Sequence, residues 1–364
     1  MKNLWNSADA KSYSDDLALR VYTSRLLGQD PTLVLHGGGN TSVKITETNI
    51  VGEQEEILYV KGSGWDLVSI EKAGFSPVRM AHMLKLGELD SLSDPQMVNE
   101  LKTQLTDASA PGPSVETILH AILPFKYVDH THADAVVTIS NTANGEDRIR
   151  EIYGDRVVVV PYVMPGFDLS KDVGRLFSEQ ANDKTEGMIL LNHGIFSFGT
   201  TAKQAYDRMI DLVDLAEKYL VSQNAWEIEK PSGDISSKSV RNEVAQLRQD
   251  ISTITNSPVL FNLTNSKQGV DFSNRDDVTS IATRGPVTPD HVIRTKGIPM
   301  IGRDVKKYTK EYKTYFDTHE PNAKDRKTML DSAPRVTLDK EFGLCAIGKN
   351  MGEIGIISDL YEHT

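Results

Sequence analysis

Only one of the 364 residues is a cysteine, Cys345. No internal disulfide can form and no Cys-x-x-Cys motif exists, so the chain suits a reducing compartment and the cytoplasm is the expected location. Basic residues are also in deficit: 40 Lys and Arg against 51 Asp and Glu give a formal net charge of −11. That balance argues against nucleic acid and anionic membrane as partners, since both need a basic field. No stretch approaches the roughly 20 apolar residues that cross a bilayer, and the first ten residues lack the apolar centre of a secretory signal. Internal repeats and low-complexity tracts are missing too. The glycines between Gly348 and Gly355 fit neither a Walker loop nor the dinucleotide fingerprint. What remains is a soluble acidic chain, long enough for two modest domains, whose simplest partner is a small molecule.

Against that background the histidines carry the chemistry. Tyr127-Val-Asp-His-Thr-His-Ala133 places His130 and His132 two apart in a β-like run, so both imidazoles project from one face. A third, His193, follows a second apolar run in Leu190-Leu-Asn-His-Gly194. Three protein ligands with one open position is the catalytic pattern for zinc. The same set also accepts cobalt, manganese or iron. A single histidine is most simply a satisfied core or surface side chain. A His-x-His pair with a third histidine downstream and a carboxylate upstream, Glu116, points to a metal site instead.

Three turns in the same region are built to take an anion. Leu35-His-Gly-Gly-Gly-Asn-Thr-Ser42 sets three glycines between apolar runs, and Val60-Lys-Gly-Ser-Gly64 repeats the device beside Lys61. Ser114, after Pro111-Gly-Pro113, is a plausible helix N-cap with Glu116 on the first turn. Turns of this kind with a metal site suggest a phosphorylated small molecule.

Helical spacing marks residues 15–29, 93–106, a helix starting at Ser114, one from Ser170, 201–223, 240–251 and one from Met351. Strands are expected at 32–35, 42–45, 57–60, 128–131, 156–162, 188–191 and near 344–347. Helices between strands without a strict βαβ rhythm give an α/β (α+β) class. The polar stretches Pro231-Ser-Gly-Asp234 and Ser236-Ser-Lys-Ser239 read as a linker, which divides the chain into domains 1–229 and 230–364.

Taken in order, Gly39-Asn-Thr-Ser42, Lys61-Gly-Ser-Gly64, Pro113-Ser-Val-Glu116, His130-Thr-His132 and Asn192-His-Gly194 resemble the class II aldolase/adducin family. The resemblance covers roughly residues 15–222. It implies a three-layer α/β/α fold with a central antiparallel sheet, commonly in a homo-oligomer, often a tetramer, with sites between subunits. It further implies zinc on His130, His132 and His193, and Glu116 as the acid/base. Substrate phosphate would lie on Gly39, Asn40, Ser63, Gly64 and Ser114, with Ser42 and Lys61 in the same loops. Val115 stands where aldolases of the family often carry a second serine. Lys61-Gly-Ser-Gly-Trp-Asp-Leu67, Val160-Pro-Tyr-Val-Met-Pro-Gly166 and the run from Arg284 to Lys296 are similar to the aldolase half of bifunctional rhamnulose-1-phosphate aldolase/dehydrogenase proteins. The chain is therefore expected to be a stand-alone aldolase or such a first half, with residues 230–364 a smaller α/β extension.

The activity this implies is cleavage of a ketose 1-phosphate, with rhamnulose 1-phosphate leading, to dihydroxyacetone phosphate and an aldehyde through a zinc-stabilised enediolate. Tyr162 is a candidate proton donor to the departing oxygen, packing at a strand end being its alternative. Asp134 could support a ligand histidine or cap a helix. Arg284, His291, Arg294 and Lys296 form either a phosphate clamp or a surface cluster. Epimerisation, dehydration or decarboxylation of a related sugar phosphate would use the same residues, and an adducin-like interaction module would need none of them.

Overall fold

The structure, a computed structural model, describes residues 1–226, 241–264, 266–323 and 326–364. Its contacts fall into two compact units, Met1–Trp226 and Glu227–Thr364. The linker expected at residues 231–239 lies outside the described residues.

The first unit is organised by seven strands: β1 (Asn40–Thr48), β2 (Gln54–Lys61), β3 (Phe75–Arg79), β4 (Tyr127–Thr131), β5 (Val157–Val160), β6 (Gly187–Leu190) and β7 (Gly194–Gly199). They form one sheet in the order β3-β2-β1-β4-β7-β6-β5. Every neighbouring pair is antiparallel except β5 with β6. Strand alternation divides the core between the two faces. Val157, Val159, Ile189 and Ile195 pack with Tyr206, Met209 and Val213 of the helix Ala202–Ser222. Val158, Val160, Met188 and Leu190 pack with Leu119, Leu169 and Val173 on the other side. Helices therefore cover both faces, giving the α/β/α layering.

Strand β4 lies at the centre, and its alternation decides where the chemistry sits. Asp129 faces the helix Asp16–Gly28, where Arg20 Nη1 lies 2.5 Å from its Oδ1, and both side chains are fully buried. His130 points to the opposite face, stacked on Phe196 of β7. Breaking this buried pair leaves a charge without its partner, so Asp129→Leu should destabilise the unit by about 3–5 kcal/mol. Thermal or denaturant unfolding reads this directly; a variant as stable as the parent would show that the pair contributes nothing.

Several local expectations are revised. Residues 32–35 form turns and irregular backbone rather than a strand, because His36 and Gly37 adopt positive φ of 38° and 83° directly after them. The helix expected from Ser114 begins at Thr117, with Glu116 at its N-cap rather than on the first turn. β3, β7 and the helices Met80–Gly87, Asp134–Ser140 and Gly145–Tyr153 were not anticipated. β3 contains Pro77, which is tolerated because β3 is the edge strand.

The second unit holds a four-stranded sheet of β8 (Leu260–Thr264), β9 (Met300–Ile301), β10 (Val336–Asp339) and β11 (Gly343–Gly348), in the order β8-β11-β10-β9. Cys345 and Ile347 face the helices Arg241–Thr255 and Val305–His319, while Leu344 and Ala346 face Met351–His363. The four cations expected to cluster near a Pro-Asp turn do not act as one group. His291 is buried between the Thr288 and Thr364 hydroxyls. Lys296 is buried with its ammonium 4.3 Å over the Tyr312 ring, whereas Arg284 and Arg294 are exposed.

Candidate functional site

His130 and His132 reach one point because they are two residues apart across the end of β4. His193 joins them from the tight β6–β7 turn, which Asn192 closes with a left-handed φ of 58°. The next residue can only be small: a Cβ on Gly194 would lie 2.4 Å from Thr131 O and 3.1 Å from both the His130 and His132 rings. The one nitrogen atom each ring offers lies within 4.8 Å of the others, and all three residues are buried. His130 Nδ1 is 3.0 Å from Ile195 O, which places its proton there and leaves the Nε2 lone pair facing the cluster.

Glu116 completes the arrangement from the N-cap of the helix Thr117–Ile122. The residue is 5% exposed. Oε2 lies 3.6 Å from His130 Nε2, and Oε1 lies 3.5 Å from His193 Nε2. His130 Nε2 and His132 Nε2 are 3.1 Å apart. Ligands about 2.0–2.1 Å from a tetrahedral zinc are separated by roughly 3.4 Å, so these spacings suit a divalent ion between them. Glu116 Oε1 is buried with no hydrogen bond made to it, and a cation beside it would offset that cost. The donor set thus fits a metal.

The three anion-capable turns are tied to one another beside this cluster. Lys61 Nζ donates to Gly37 O at 2.7 Å, Ser63 N–H donates to Gly112 O at 2.8 Å, and Gly62 bridges to Pro113. Lys61 is buried, so its charge holds the glycine loop in place. Gly39 passes so close to β4 that a Cβ would meet His130 O at 2.6 Å. Asn40 Nδ2 donates to Glu116 Oε2 at 2.5 Å and to Ser114 Oγ at 3.3 Å. Ser63 and Gly64 are exposed at the rim, whereas Ser42 is fully buried, with its hydroxyl against His120. Ser42 therefore stands behind the site rather than at a ligand-facing position. Tyr162 is 55% exposed on its loop, and the structure does not join it to the histidines within the chain. Asp134 opens the helix Asp134–Ser140.

One neighbour of Glu116 escaped the sequence reading. His120 is fully buried and bonded to both Ser42 and Asn40. Its signal was present: four residues after Glu116 on a helical stretch, it shares a face with that carboxylate.

A sequence model of the Class II Aldolase and Adducin N-terminal domain matches residues 18–220, and one of the Aldolase class II second domain matches residues 238–364. The solved N-terminal class II aldolase domain of a conserved protein from Thermoplasma acidophilum is 44% identical, with a TM-score of 0.56 over 60% of this chain and 99% of that one. The uncharacterised oxidoreductase YuxG of Bacillus subtilis is 31% identical over the whole of this chain, which spans 55% of that protein's length. With the first match alone covering more than half of its length, the chain belongs to the class II aldolase/adducin family.

Proposed function

We propose that this chain is a metal-dependent sugar-phosphate aldolase that cleaves a ketose 1-phosphate, rhamnulose 1-phosphate first among candidates, to dihydroxyacetone phosphate and an aldehyde. The observation that carries this reading is the buried convergence of three imidazoles and one carboxylate beside three mutually tied anion loops. His130, His132 and His193 would hold the ion, with zinc the first choice for such ligands. When bound, it supplies Lewis-acid stabilisation of the negative charge that develops on the ketose oxygens.

The chain's own residues supply the rest. Asn40 occupies Glu116 Oε2, which leaves Oε1 to carry the proton delivered to the carbon freed by C–C cleavage. The N–H groups of the Gly39–Asn40 turn, with Ser63, Gly64 and Ser114, are positioned to take the substrate phosphate. Lys61 sets the shape of that pocket. Tyr162, exposed on its loop, relays the proton that the hydroxyl loses on becoming the aldehyde oxygen, so that the proton Glu116 delivers to carbon is replaced, and a homo-oligomer would bring this loop to a neighbouring copy's site. Residues 1–229 are the catalytic domain in this reading and 230–364 an extension. Neither partner nor location calls for a membrane, and among the described residues no helix is long and apolar enough to cross one.

A non-catalytic module has no physical need to bury a carboxylate oxygen among imidazoles with no hydrogen bond made to it, and this favours an enzyme. The test is release of dihydroxyacetone phosphate from rhamnulose 1-phosphate by purified protein supplied with zinc, then with a chelator. Metal-dependent release is expected. A metal-loaded protein that converts the ketose phosphate without releasing a three-carbon fragment would move the assignment to an epimerase or dehydratase.

A further inference from the structure

Behind Glu116 runs a chain of hydrogen bonds whose direction is fixed by its end. His120 Nδ1 lies 2.8 Å from Ser42 Oγ, and His120 Nε2 is hydrogen-bonded to Asn40 Oδ1. Asn40 Nδ2 reaches Glu116 Oε2. An ionised carboxylate only accepts, so Asn40 must turn its NH₂ toward Glu116 and its carbonyl toward His120. His120 must then carry its proton on Nε2, with Nδ1 accepting from the Ser42 hydroxyl. Turning Asn40 over would set a carbonyl against a carboxylate with no donor between them. Full burial keeps the ring neutral by pushing its pKa down to about 3, and the neutral ring that donates from Nε2 to Asn40 has Nδ1 free to accept from the Ser42 hydroxyl.

The surroundings hold both ends of the chain. Ser42 is clamped in β1, its carbonyl 3.4 Å from Arg20 Nη1. The helix bearing Glu116 and His120 is gripped at its far end by Lys44, whose ammonium donates to Ala121 O at 3.1 Å and also to Leu123 O. The His120 ring is 5.5 Å from Phe196, the same ring that stacks on His130.

We propose that His120 is a positioning residue: as a neutral Nε2–H donor held by Ser42, it fixes the Asn40 amide so that Glu116 is kept in one orientation with Oε1 toward His193. This rests on Glu116 acting as the proton carrier of the proposed aldolase. Glutamine can place an amide N–H where His120 Nε2 sits, whereas leucine fills the space and donates nothing.

The experiment compares zinc-loaded wild type, His120→Leu and His120→Gln by steady-state cleavage of rhamnulose 1-phosphate, with metal content and crystal structures of all three. His120→Leu should lose about 10²-fold in kcat with KM and bound zinc little changed, the scale expected when a reacting group is misplaced by about 1 Å. His120→Gln should recover most of that loss. A leucine variant with wild-type kcat, or a glutamine variant as impaired as leucine, overturns the proposal. If leucine prevents folding, Ser42→Ala releases the ring from its other end, and an unchanged kcat there overturns it equally. Should the wild type cleave nothing, the aldolase reading fails, and the crystal structures still decide the positioning. Asn40 should leave Glu116 in the leucine variant and stay in the glutamine variant; contact retained with leucine would contradict it.

Discussion

Replacing Glu116 with glutamine should lower kcat for ketose 1-phosphate cleavage by about 10²–10⁴-fold, the range that a positioned general acid/base supplies. The three histidines remain, so bound metal should stay close to the wild-type level. Glutamine is nearly isosteric and keeps an oxygen for Asn40 to donate to, so the N-cap turn and the Ser114 contact should survive. What it cannot do is carry a proton on the atom now labelled Oε1. Steady-state release of dihydroxyacetone phosphate, with metal analysis of the same preparation, separates the two effects. A glutamine variant within about tenfold of wild type would remove Glu116 from the proton-transfer step.

His132→Ala should act through the metal instead. It deletes one of three convergent donors, so affinity should fall by more than the roughly 10–100-fold that loss of a mere supporting residue costs. Cleavage should drop to background at metal concentrations that saturate the wild type. The fold should survive, because His132 lies just beyond the end of β4 and carries no ladder pairing of the sheet. A ligand that binds only the native state raises its stability by linkage. Added zinc should therefore raise the wild-type Tm and leave the variant's unmoved. An equal rise in both would place the ion elsewhere.

The convergence of the three histidines was legible in the sequence because two simple periods produce it. The i, i+2 spacing of His130 and His132 needs only a strand. Asn-His-Gly needs only a turn that returns beside it, and Gly194 is the residue that makes room. The joining of the three glycine-bearing and proline-bearing loops was less legible, since it depends on β1 lying between β2 and β4, an order that no local pattern states. The same limit applies to the surroundings of His120: its spacing from Glu116 is local, but nothing near it in sequence announces that Ser42 and Asn40 will lie alongside. Ser42 looked like a ligand-facing loop residue because it closely follows Gly37-Gly-Gly39, yet it is already inside β1 and its side chain points into the core. β3 was hidden by Pro77, which argues against a central strand but not an edge one. β7 was hidden because Gly194-Ile-Phe-Ser-Phe-Gly199 is buried throughout, so it shows no alternation to read.

The measurement that bears most directly on the central claim is metal stoichiometry of protein purified without chelators, wild type beside His132→Ala, coupled to dihydroxyacetone phosphate release from rhamnulose 1-phosphate. The account predicts close to one divalent ion per chain in the wild type, its loss in the variant, and cleavage that follows the metal. Wild-type protein that neither retains nor takes up a divalent ion at these histidines would contradict it.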